Sequence, residues 1–226
     1  MLPNRPKNID VYSIMSEVIF VSGIDTDAGK SYATGHWANM LKAQGRNVIT
    51  MKFIQTGCRE WSEDIDVHRR IMGCGMLADD LSHLTAPVVF TYPASAQLAA
   101  AIDGRSIELE VIDRAVEELS KRYDTILIEG AGGLMVPITD TFMAVDYAAT
   151  RNLPVALVTN SRLGSINHTV LSLEALKSRG LRLHTVLYNT YYDGRDKVIA
   201  ADTRAFIGRY VGREFPQTPV IDIPTI

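Results

Sequence analysis

The chain has 226 residues, 46% hydrophobic and 22% charged, with a formal net charge of −3. That length buries a full-sized core, and 23 Lys and Arg against 26 Asp and Glu leave no basic footprint for nucleic acid or an anionic membrane. No apolar run approaches the roughly 18 residues that span a bilayer, the first residues lack an apolar signal core, and two cysteines (Cys58 and Cys74) build neither a disulfide framework nor a zinc site; the composition points to a reduced, cytoplasmic protein.

Residues 1–16 are polar and include Pro3 and Pro6, so they read as a disordered, dispensable extension before a single domain over 17–226. Val18-Ile19-Phe20-Val21 is a continuous apolar strand entering a glycine-containing loop. Ser31 to Gln44 reads as a helix closed by Gly45, and Asn47 to Phe53 as the second strand. Asp64 to Met72 has helical spacing and stops at Gly73. Ile107, Val111, Ala115, Val116 and Leu119 mark one face of an amphipathic helix, followed by the strand Thr125 to Ile128. Pro154 to Val158 is the next strand, and Ile166, Val170, Leu173 and Leu176 form a helical stripe stopped by Gly180. Strands over Thr185 to Tyr188 and Val220 to Ile223 flank a helix near Lys197 to Tyr210. Unbroken Val/Ile/Leu strands are those covered by crossover helices on both faces of a parallel sheet. The fold class is therefore α/β, a doubly wound, mostly parallel sheet flanked by helices, with ligands expected at the carboxyl ends of its strands.

The first strand runs into Gly23-Ile24-Asp25-Thr26-Asp27-Ala28-Gly29-Lys30-Ser31, which opens a helix. Backbone N–H groups at such a helix start bind anions, Lys30 would reach terminal phosphates, and the Ser31 hydroxyl would ligate Mg²⁺. Five residues separate Gly23 from Gly29, one more than a strict P-loop has; the alternative is a plain glycine turn with Lys30 in solvent. A P-loop also needs carboxylates for its metal. Glu129 ends an apolar strand before the glycine-rich turn Gly130-Ala131-Gly132-Gly133, and the alternative there is a solvated strand-end charge. Asp64 and Asp66 are rivals at the start of a helix, where acids also serve as ordinary N-terminal caps. Lys52 ends the second strand, as a cation for a transferring phosphoryl group or as a surface lysine, with Thr56-Gly57 close behind. His36, His68, His83 and His184 carry no nucleophile–base pattern and read as structural; His168 begins a helix whose N–H groups would suit an anion.

These residues, in this order, resemble the dethiobiotin synthetases, ATP-dependent carboxylase–cyclases with a P-loop NTPase-like fold. The resemblance runs from about Val18 to the C-terminus. It rests on Gly-x-Asp-Thr-x-x-Gly-Lys-Ser at 23–31, Lys52 with Thr56-Gly57, Glu129-Gly-Ala-Gly-Gly, Leu163-Gly-Ser-Ile-Asn-His, Asn189 and Ile223-Pro224. The five-residue spacer is the family's own form. The resemblance implies a homodimer that joins 7,8-diaminopelargonate, CO₂ or bicarbonate and ATP into dethiobiotin, ADP and phosphate, with Mg²⁺. It implies a phosphate cradle of Thr26, Asp27, Ala28, Gly29, Lys30, Ser31 and Tyr32, a metal held by Ser31, Asp64 and Glu129, and catalytic roles for Lys52 and Lys30. Gly130, Ala131, Gly132, Asn189 and Pro224 fall to the nucleotide, and Thr56, Ser165 and Asn167 to the diamine acid. The rival readings are a partitioning ATPase, whose signature lysine is here Asp25, and an ATP-dependent amidoligase, for whose glutaminase domain the chain has no room.

Overall fold

A computed structural model describes residues 16–225, so the extension expected over 1–16 lies outside the described residues apart from Ser16. The Ser16 hydroxyl donates to the carbonyls of Ser120 (2.8 Å) and Tyr123 (2.6 Å). In chain order, β1 (Glu17–Gly23) passes through a 3₁₀ turn at Thr26–Ala28 into α1 (Lys30–Ala43) and β2 (Val48–Lys52). Next come β3 (Gln55–Thr56), α2 (Glu63–Ile71), α3 (Ala78–Leu81), β4 (Val89–Phe90), α4 (Ala96–Ile102) and α5 (Leu109–Ser120). The second half holds β5 (Thr125–Gly133), α6 (Ala144–Thr150), β6 (Val155–Asn160), α7 (Ser165–Ser178), β7 (Leu183–Asn189), a 3₁₀ turn at Thr190–Tyr192, α8 (Lys197–Glu214) and β8 (Val220–Ile223).

Six strands form one sheet in the order β2-β5-β1-β6-β7-β8, and every pairing is parallel; β3 and β4 make a separate two-stranded pair. Strands β1 and β6 are apolar and buried on both faces because helices pack on each side, which is the doubly wound arrangement. From the central β1 the chain first builds outward to β2 and back to β5, then departs the other way through β6, β7 and β8. Ligands gather at the carboxyl edge where such an order reverses. Register there places Glu129 of β5 between Val21 of β1 and Lys52 of β2. No helix among the described residues is long and apolar enough to cross a membrane.

Three local expectations change. The buried face of α5 is Ile112, Ala115, Val116 and Leu119; Ile107 precedes the helix and Val111 is half-buried. The buried face of α7 is Ser165, Thr169, Leu173 and Leu176 rather than the stripe through Ile166 and Val170. Hydroxyls are tolerated there because they are satisfied: Ser165 donates to the Asn160 carbonyl (2.6 Å), and Thr169 bonds the Ser165 carbonyl (2.7 Å) and the Thr159 hydroxyl (2.6 Å). Residues 130–133 are not a turn after the strand, since β5 continues through Gly133.

Candidate active site

The loop after β1 is shaped by its own polar groups. The Asp25 side chain accepts from the Thr26 N–H (2.7 Å) and pairs with Arg162 (2.6 Å), which starts the 3₁₀ turn over Thr26–Ala28. Gly29 then takes φ +84°, a left-handed conformation, and its Cα faces the Asn189 side chain so closely that an added Cβ would lie 2.1 Å from Nδ2. Asn189 ties both ends of the cleft together: its amide donates to the Ala28 carbonyl (3.1 Å), and its oxygen accepts from the Tyr191 N–H (3.1 Å).

Lys30 opens α1 but is buried, and its ammonium donates to the loop carbonyls of Asp25 (3.0 Å) and Thr26 (3.1 Å). The solvated-lysine alternative does not hold. Burial pulls this ammonium down to about 8, against the pull of Glu129 and Asp64 and with the help of neighbouring Lys52.

Next to it stands a compact charge cluster. The Ser31 hydroxyl lies 2.8 Å from Asp64 Oδ1 and 2.9 Å from Glu129 Oε1. The Lys52 ammonium, 4% exposed, reaches Glu129 Oε1 (2.8 Å), the Gly130 carbonyl (3.2 Å) and Asp64 Oδ2. Burial alone would lower the lysine and raise the glutamate. Their mutual attraction, with Asp64 on one side and His68 on the other, overrides it: Lys52 is held above its ordinary value and Glu129 well below the usual carboxylate range. Asp66 turns away, bonded to the Trp61 indole (2.6 Å), so of the two aspartates it is Asp64 that faces Ser31.

All of this borders one cleft of about 840 Å³, lined among others by Thr26, Asp27, Gly29, Lys30, Ser31, Tyr32, Lys52, Thr56, Asp64, Glu129, Ala131, Gly132 and Asn189. Ala28 is buried and offers the cleft no side-chain surface, while Gly130 supplies its carbonyl to Lys52. Exposed Pro224 does not line it, although Thr225 does. Ser165 and Asn167 lie elsewhere, at the start of α7: Ser165 is buried and Asn167 exposed. Sequence reading missed Tyr191 and Tyr192, which wall the cleft beyond Asn189, and His68, whose imidazole lies 2.6 Å from Glu129 Oε2. His68 is four residues after Asp64, hence on the same face of α2, and that spacing was its only sequence signal.

The cluster brings together oxygen donors of the kind that a hard divalent cation takes. Ser31, Asp64 and Glu129 converge as oxygen donors, and no group of three or more His, Cys, Asp and Glu suited to a metal occurs among the described residues. Magnesium is typically held by one or two carboxylates plus phosphate oxygens, not by a full protein cage.

Comparison with known proteins identifies the family. A family model described as an AAA domain matches residues 17–217. The ATP-dependent dethiobiotin synthetase BioD 2 of Pasteurella multocida is 46% identical over 204 residues, covering 90% of this chain and 95% of its own. The BioD 2 of Haemophilus influenzae is 50% identical over 177 residues (78% and 93%), and the BioD of Chlorobaculum tepidum 44% over 210 residues (92% and 87%). Among solved structures, chloroplast FtsY from Physcomitrella patens superposes with a TM-score of 0.53 at 16% identity, covering 96% of this chain. The chain spans 61% of that FtsY, and the likeness is one of fold. With relatives of 44–50% identity aligned over most of both chains, this protein belongs to the ATP-dependent dethiobiotin synthetase family.

Proposed function

We propose that the chain makes dethiobiotin, ADP and phosphate from 7,8-diaminopelargonate, CO₂ and ATP. The family supports the reaction, and the observation that carries it is the pairing of two buried ammonium groups with a Ser31–Asp64–Glu129 oxygen trio in one cleft. One substrate amine and CO₂ give a carbamate with loss of a proton. A carbamate oxygen attacks the γ-phosphorus and displaces ADP, giving a carbamic–phosphoric anhydride. The second amine attacks its carbonyl, closes the ureido ring and expels phosphate. Each step gathers anionic oxygen and none needs a protein nucleophile, so the work is positioning and charge neutralisation.

The loop over 26–32 cradles the phosphates, and Lys30 exchanges its two carbonyl contacts for phosphate oxygens. Ser31, Asp64 and Glu129 would hold Mg²⁺, which when bound neutralises and orients the phosphates. Lys52 lends its ammonium to the oxygens shared between carbamate and γ-phosphate, and Thr56 offers a hydroxyl to the diamine acid. Asn189, Tyr191 and Thr225 border the base end of the cleft.

The active form in this reading is a homodimer in the cytoplasm. Leu163 and Val198, 84% and 80% exposed, flank an apolar groove beside the Gly164–His168 segment, as a surface awaiting a second copy would. That segment would then serve the diamine acid across the interface. The test is phosphate release from ATP, expected only when diaminopelargonate and bicarbonate are both present; release independent of either would overturn the reading.

A further inference from the structure

Glu129 has two carboxylate oxygens with different duties. Oε1 receives the Ser31 hydroxyl (2.9 Å) and the Lys52 ammonium (2.8 Å), and is the atom that faces the cleft cluster. Oε2 is met by His68 Nε2 at 2.6 Å. Both side chains are buried, the imidazole at 0% exposure and the carboxylate at 1%. A buried, ionised oxygen without a donor is costly and finds one by rotating. Without His68, the relief available to Oε2 is a turn of the carboxylate toward Lys52 or Ser31, which would break the pattern at Oε1.

The position of His68 sharpens this. Asp64 and His68 lie one turn apart on α2, so a single rigid helix presents the aspartate to Ser31 and the imidazole to the far side of Glu129. The helix is itself fixed to β2, because fully buried Arg69 bonds Thr50 Oγ1 (2.7 Å) and grips both carboxylate oxygens of Asp80 (2.7 and 2.8 Å). The other imidazole nitrogen, Nδ1, is buried with no hydrogen-bond partner among the described residues. A carboxylate oxygen can only accept, so the 2.6 Å contact places the donating N–H on Nε2. His68 therefore acts as a donor aimed at one acceptor.

We infer that His68 is a positioning residue for the metal-and-nucleotide site: its Nε2–H holds Glu129 in the orientation that turns Oε1 toward Ser31 and Lys52. This rests on the reading of Ser31, Asp64 and Glu129 as the Mg²⁺ site. Outer partners of metal-ligating groups are commonly worth about 10–100-fold in metal affinity.

Three variants test it, read out by Mg²⁺ titration calorimetry of protein saturated with the β,γ-imido analogue of ATP, alongside kcat, KM and melting temperature. His68→Gln places an amide donor near the Nε2 position, His68→Asn carries the same amide too short to reach, and His68→Leu fills the space without a donor. Gln should bind Mg²⁺ within about threefold of wild type, while Asn and Leu should weaken it roughly 10–100-fold and lower kcat more than they raise the KM for ATP. Mere filling of the core predicts another order, with Leu equal to or better than Gln. That order, or wild-type Mg²⁺ affinity in Asn, overturns the inference. Should Leu fail to fold, the contrast between Gln and Asn decides alone. A wild-type protein that binds no Mg²⁺ with the analogue would instead overturn the metal-site reading itself, which keeps the two failures distinct.

Discussion

Lys52 is surrounded by protein acceptors, and this decides what its removal does. Its ammonium is the counter-charge that lets Asp64 and Glu129 lie close together when no other cation is present. Lys52→Gln should therefore melt at lower temperature in EDTA, by an amount that millimolar Mg²⁺ largely restores. In turnover it should lose at least about a hundredfold, the usual cost of removing one preorganised electrostatic contact, with little change in ATP–Mg²⁺ binding. Thermal shift with and without Mg²⁺ checks the first part and steady-state kinetics the second; a variant that keeps its rate removes Lys52 from the chemistry. Lys30 makes a pH prediction. Its value of about 8 in the free chain reflects burial, and bound phosphates favour the ammonium, so ATP affinity should fall as pH rises through about 8. Just above that pH, binding should take up a proton, measurable as a dependence of calorimetric enthalpy on the buffer's ionisation heat. Zero uptake would mean that Lys30 already carries its charge in the free chain.

At the scale of elements, α2 is held by charge as much as by apolar packing. Arg69→Met would leave the buried Asp80 carboxylate without its cation, with only the Leu77 N–H and the Thr85 hydroxyl as donors, and breaking such a pair costs about 3–5 kcal/mol. The double variant Arg69→Met with Asp80→Leu should recover most of the loss, and urea midpoints of the four species measure the coupling; additive losses would show the pair to be incidental. Gly29→Ala should fail for geometric reasons, since φ +84° and the Asn189 amide both exclude a methyl group. Loss of nucleotide binding with the sheet intact, seen as retained far-UV circular dichroism, is the expected result. The same interplay explains which elements were legible in the sequence. The core strands announced themselves as unbroken apolar runs, and α1 and α2 by stops and spacing. The α7 stripe was misread because Ser165 and Thr169 occupy buried positions that an apolar pattern assigns to Ile166 and Val170. Strands β3 and β4, two residues each, are too short to carry any period.

At the scale of the whole molecule, motif residues such as Lys30, Lys52, Asp64 and Glu129 were readable, whereas a contact without a motif, that of His68, was not. The loop at 23–31 carries its chemistry in one stretch. The contact of His68 with Glu129 spans 61 residues and depends on how α2 lies across the edge of the sheet. The residues alone left Asp64 and Asp66 as rivals and the resemblance favoured Asp64; the turn of α2 points that acid at Ser31 and the other at Trp61. The proposed homodimer is testable at this scale. Leu163→Glu places a charge on the most exposed of the large apolar side chains described. It should shift sedimentation from dimer to monomer and depress turnover without lowering the melting temperature of the monomer. A variant that sediments as wild type would place the interface elsewhere.

The bridge made by Asn189 has a consequence for altering which nucleoside triphosphate the chain accepts. Its two bonds couple the carbonyl of Ala28, directly before the phosphate-binding helix, to the backbone of Tyr191 at the opposite end of the cleft. If the proposed function holds, base selectivity and phosphate grip meet at Asn189. Exchanges at Tyr191 or Thr225 that leave this bridge in place should then retune the base alone, whereas an exchange at Asn189 should free the loop at Gly29 and weaken every triphosphate together.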